Sequence, residues 1–69
     1  MPKTIPETIR AARIAAGLTQ MQLGILAGYT GMTAQVQPAQ WEAGTTPPPK
    51  NRLRAIAKAL HIPVSKLIP

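Results

Sequence analysis

The chain has 69 residues, with eight lysines and arginines against two acids, for a formal net charge of +6. It holds no cysteine and one histidine, His61, which excludes disulfides, thiolate catalysis and cysteine zinc sites together. Glu7 and Glu42 are the only acids, and no serine–histidine–acid set, phosphate loop or GxGxxG occurs, so we expect no enzyme, no cofactor and no metal site.

This length suits one domain over residues 1–69, which at such a size buries only about 60% of its unfolded surface and needs a tight core. The positive balance favours a polyanionic partner. No apolar run is long enough to span a membrane, and the opening MPKTIPETIR lacks a hydrophobic secretion segment, so a cytoplasmic location is expected. No small-molecule ligand is indicated.

In chain order, Thr4 followed by Glu7 reads as a capping box, with Pro6 tolerated in the first turn of a helix. Ile5, Ile9, Ala12, Arg13 and Ala16 then fall on one side at helical spacing, and Gly17 is a natural stop. Ile14 lies off that stripe, and the sequence offers no account of it. Thr19 with Gln22 repeats the capping signal and opens a second helix containing Leu23, Leu26 and Ala27, with Ile25 exposed and Gly28 at its end. Gly28 to Thr33 reads as a loop.

A third helix is expected over roughly Ala34 to Glu42, ended by Gly44. Pro38 conflicts with it, because a proline inside a helix removes a hydrogen bond and clashes with the preceding turn. Either the helix starts only shortly before Pro38 or it is kinked there. Thr45 to Pro49 is a stiff connector into a fourth helix with an apolar face of Leu53, Ile56, Ala57 and Leu60. Lys50, Arg54 and Lys58 line another side. His61 closes this helix in the left-handed conformation, and Pro63 starts a last short helix that packs Val64, Leu67 and Ile68 inward. Nothing alternates with strand period. The expected fold is all-α, a compact bundle of about five short helices.

Arg13 stands on the apolar stripe of the first helix, where a lone charge is costly. Glu7 is not three or four residues away, which leaves Glu42, beside Trp41, as its partner by elimination. The alternative is that Arg13 reaches solvent along its own stem. Trp41 itself either belongs to the core or stacks on a base. Tyr29 and Met32 either pin the long loop to the body or contact a ligand from it.

The segments RIAAGLTQMQLGILAG, QWEAG and LRAIAKALHIPVSKLI cover most of the chain. Together they resemble the Cro/CI-type (XRE-like) helix-turn-helix family of lambda-repressor-like DNA-binding domains. The family pattern also has an arginine before GLTQ and a glutamate before glycine, matching Arg13 and Glu42. Two departures stand out. The turn through GYTGMT is longer than the usual three or four residues. The family usually carries an apolar residue where Pro38 stands, a core role that falls to Val36 if the register is shifted.

The resemblance implies a phage-type or prophage-type repressor bound to double-stranded DNA, probing the major groove with its third helix. That assigns base contacts to Thr33, Gln35, Gln37 and Gln40, since glutamine pairs with adenine N6/N7 and threonine meets the thymine methyl. It also gives Gln20, at the start of the second helix, a phosphate contact. No basic residue lies between Arg13 and Lys50, so the remaining phosphate contacts are assigned to Arg10, Lys50, Arg52 and Arg54, with Lys58 facing solvent. A homodimer on a near-palindromic site is the expected assembly. The competing expectation is an antitoxin or adaptor-like module that binds a protein through Ile25, Tyr29 and Ile68.

Overall fold

The described residues form four α-helices, and the first two start where a threonine side chain caps them. The computed structural model describes residues 4–68, so Met1–Lys3 and Pro69 of the expected 1–69 domain lie outside the described residues. Helix α1 covers Ile5–Ala15, and the Thr4 hydroxyl accepts from the Glu7 N–H at 3.4 Å. The Glu7 carboxylate does not behave as the second half of a capping box; it accepts from the Thr4 hydroxyl instead, at 3.1 Å. Helix α2 covers Gln20–Leu26 and has the full box. Its Gln22 N–H donates to Thr19 Oγ1 at 3.1 Å, and the Thr19 N–H donates to Gln22 Oε1 at 2.8 Å.

All four helices end in the same way. The two N–H groups past the last turn fold back onto carbonyls inside the helix, which satisfies acceptors that would otherwise be left over. In α2 the Gly28 N–H donates to Ile25 O and the Tyr29 N–H to Gly24 O, at 3.0 and 2.9 Å. Helices α3 (Thr33–Ala43) and α4 (Leu53–Leu60) repeat this at Gly44 and His61. The motif needs a left-handed residue, and three helices supply glycine for it. His61 adopts φ 56° without that freedom, as the sequence anticipated.

Two corrections to the expected bundle follow. It has four α-helices rather than five, because the last segment, Val64–Leu67, is a single 3-10 turn, as is Lys50–Arg52 ahead of α4. A third helix starting only shortly before Pro38 is also ruled out: α3 begins at Thr33, within one residue of the expected start, and runs unbroken through Pro38 to Ala43. No strand occurs among the described residues.

The core is built from Ile9, Leu23, Trp41, Ile56, Leu60 and Leu67, filled in by Ala27 and Ala57. Trp41 is buried and its ring centroid lies 6.0 Å from that of Tyr29, which settles the choice between core and exposed stacking platform in favour of the core. Leu26 and Ile68 are exposed, so neither packs inward. Val36 is exposed too, and the core position goes to Pro38 itself, which is fully buried.

Pro38 bears on the most extensive helix–helix contact in the fold, that of α2 on α3. With no N–H, it leaves the Ala34 carbonyl without its intrahelical donor. Gly24 of α2 is buried against this carbonyl so closely that a Cβ added to Gly24 would overlap it outright. The two helices meet backbone on backbone, an approach that only glycine permits and that suits a weak Cα–H to carbonyl contact of about 0.5–1 kcal/mol.

Candidate nucleic-acid interface

The arrangement of α2 and α3 is held from one side by charge. Arg13 Nε donates to Glu42 Oε2 at 2.7 Å and Nη2 donates to Oε1 at 3.1 Å, a two-pronged pair linking α1 to α3. Its remaining Nη1 donates to Leu18 O at 2.9 Å, in the turn between α1 and α2. The Glu42 side chain is only 6% exposed, so the pair is enclosed and Arg13 does not run out to solvent. Gln20 joins the same cluster, with Nε2 3.5 Å from Glu42 Oε1.

A second clamp holds the long turn between α2 and α3, residues 27–32. Arg52 Nη1 donates to Ala27 O at 2.9 Å, and its guanidinium carbon lies 4.2 Å from the centre of the Tyr29 ring. Arg52 over the Tyr29 ring and Tyr29 tilted against Trp41 therefore make a chain of contacts from the surface into the core. Tyr29 pins the loop to the body, whereas Met32 stands 82% exposed at its far end.

Between these clamps the starts of α2 and α3 are brought side by side. A shallow groove is lined by Arg13, Leu18, Thr19, Gln20, Met21 and Gln35. It unites two residues assigned to different contacts, Gln20 and Gln35. Thr33 is exposed one residue into the connection's edge of α3, while Gln37 and Gln40 are half-buried along one flank of that helix. The four α3 residues thus do not share one face: at 100° per residue Thr33, Gln37 and Gln40 form one stripe, and Gln35 belongs to the opposite flank with Glu42.

The cations are spread more widely. Arg10 is exposed on α1 one turn before Arg13, and Arg54 is exposed on α4. Lys50 borders a separate apolar groove with Ile5, Leu53 and Ile68, and Lys58 borders another with Leu18 and Leu26. Arg52 already donates one N–H within the chain and is half-buried, which marks it as a positioning residue for the turn.

Sequence reasoning did not identify the Gly24 approach, the Arg52 clamp or Met21 beside Gln35. A glycine in the middle of an otherwise well-formed short helix was the available signal for the first. The other two depend on tertiary neighbours, which leave no periodic trace. Among the described residues no cluster of three or more histidines, cysteines and acids could hold a metal ion, and no helix is long and apolar enough to cross a membrane. Compared with known protein families, curated proteins and solved structures, the chain has no match.

Proposed function

We propose that this chain is a sequence-specific double-stranded-DNA-binding protein in which α2 and α3 act as a helix-turn-helix, α3 being the helix that enters the major groove. The observation that carries this reading is the groove shared by Gln20 and Gln35. In this reading the Gln20 amide on α2 meets a phosphate while the Gln35 amide on α3 meets base edges. The net charge of +6 supplies attraction, and Arg10, Lys50 and Arg54 are free at the surface to meet the backbone. Neither α2 nor α3 carries a lysine or arginine, so sequence would be read by amides and shape rather than by a basic helix. In this reading the protein is a repressor of the phage or prophage type, acting as a homodimer on a near-palindromic operator.

Selection from a randomised duplex pool at physiological salt tests this. A two-fold symmetric motif with half-sites about 10–10.5 base pairs apart is the expected product. An asymmetric motif would keep specific DNA binding and remove the dimer. A pool with no enriched sequence would overturn the reading. It would favour the second one, an antitoxin or adaptor-like protein-interaction module, for which the exposed Ile25 and Ile68 are the supporting observation, Tyr29 being packed against the core.

A further inference from the structure

Helix α3 is unusual in being apolar on both its inner and outer sides. Inward, Ala34, Pro38 and Trp41 recur at four- and three-residue spacing and are buried. Directly opposite, Met32, Val36, Ala39 and Ala43 recur at the same spacing and form the outer ridge. Met32 is 82% exposed and Val36 42%, Ala43 is exposed and Ala39 half-buried. Polar groups flank this ridge on both sides, with the Thr33 hydroxyl and the Gln37 and Gln40 amides on one and the Gln35 amide on the other. Met21 of α2, exposed beside Gln35 across the groove, adds a further aliphatic group. An apolar strip rimmed by polar groups is the mark of a surface that meets a partner.

Resting on the DNA-binding reading, we infer that Met32 and Val36, with Met21 at the margin, are specificity-determining residues that read thymine methyl groups, so that the preferred half-site is rich in A·T pairs. In the major groove only an A·T pair offers a methyl group, and its adenine presents the N7 acceptor and N6 donor that match a glutamine amide. A ridge of aliphatic groups with amides on either side fits that pair on both counts. Guanine is read chiefly by arginine and lysine, and α3 has neither. A protein-docking strip would need no such flanking amides, and charged groups at its rim would serve it equally well; the rim of this ridge has no exposed charge, since Glu42 is held by Arg13.

The test uses the full chain and the duplex enriched from a random pool. Each thymine of the half-site is replaced by uracil, which removes the methyl and leaves every hydrogen-bonding edge intact. Each contacted methyl lost should weaken binding about fourfold, so two or three together give roughly fifteen- to sixtyfold. Val36→Ala and Met32→Ala, both at exposed positions, should weaken binding to the thymine duplex and have little further effect on the uracil duplex. Equal affinity for the thymine and uracil duplexes, or an enriched half-site made of G·C pairs, would overturn the inference while leaving specific DNA binding in place. A pool with no enriched sequence would overturn the DNA-binding reading itself, and the ridge would then be a protein-docking surface.

Discussion

Replacing Gly24 by alanine probes the joint on which the geometry of α2 and α3 depends. Considered as a local change within α2, the substitution should help, because alanine is about 1 kcal/mol better than glycine in a helix. In the folded chain the new Cβ overlaps the Ala34 carbonyl, a backbone group that cannot swing aside as a side chain would. Relief requires α2 and α3 to part by on the order of 1 Å, which loosens the contacts of Leu23 and Trp41 beneath them. Overpacking a core costs about 1–3 kcal/mol, and a clash between two backbones belongs at the upper end. After the helix gain is subtracted, the net loss is about 2 kcal/mol, equivalent to roughly 8–16 °C in a domain of this size. Thermal unfolding followed by circular dichroism measures it directly. A Gly24→Ala protein that melts at or above the wild-type temperature would refute the backbone-to-backbone contact and with it the tight apposition of the two helices.

Other perturbations separate residues that build the fold from those assigned to a partner. Glu42→Ala leaves the enclosed Arg13 guanidinium without its carboxylate and should lower stability by about 3–5 kcal/mol in urea unfolding, whereas an unchanged midpoint would show the pair to be inert. Arg52→Ala removes the bond to Ala27 O and the stack on Tyr29, and a loss of about 1.5–3 kcal/mol is expected in the same assay; a loss within 0.5 kcal/mol, on the order of an ordinary surface change, would show that the clamp does not hold the turn. Lys50→Ala and Arg54→Ala should leave the melting temperature alone and reduce the slope of log affinity against log salt by about one unit each, so unchanged slopes would place both outside the DNA contact. His61→Gly relieves a left-handed residue with a Cβ and should raise stability by about 0.5–1 kcal/mol; a drop would mean the imidazole contributes more than its backbone costs.

Much of this architecture was legible because it is written in local chemistry. Thr19 and Gln22 announced the start of α2, His61 the end of α4, and the spacing of Leu53, Ile56, Ala57 and Leu60 its inner face. The pairing of Arg13 with Glu42 was reachable without a structure because a charge on an apolar stripe has few ways to be satisfied. Helix α3 was harder to read, and for a physical reason. A helix that is apolar on two opposite sides has no single hydrophobic direction, so Val36 and Pro38 compete for the core on sequence grounds. The proline prevails because its ring is accepted by the core and because Gly24 covers the carbonyl it leaves unpaired. Of the candidate contacts, the structure brings Gln20 and Gln35 into one groove but sends Gln37 and Gln40 to the other flank, a division that depends on the start of α3 at Thr33. Arg52 looked like one cation among several; only the fold puts it over Tyr29.

The central claim is that α3 reads sequence, and it is tested most directly by measuring affinity for a selected duplex and for a scrambled duplex of the same composition at physiological salt. Specific binding predicts a ratio of at least about 10³ in favour of the selected duplex. Gln35→Ala, an exposed position that should leave the melting temperature unchanged, is predicted to cut that ratio by about fivefold or more. Equal affinity for the two duplexes, or a ratio untouched by Gln35→Ala, would contradict the assignment of α3 as the reading helix.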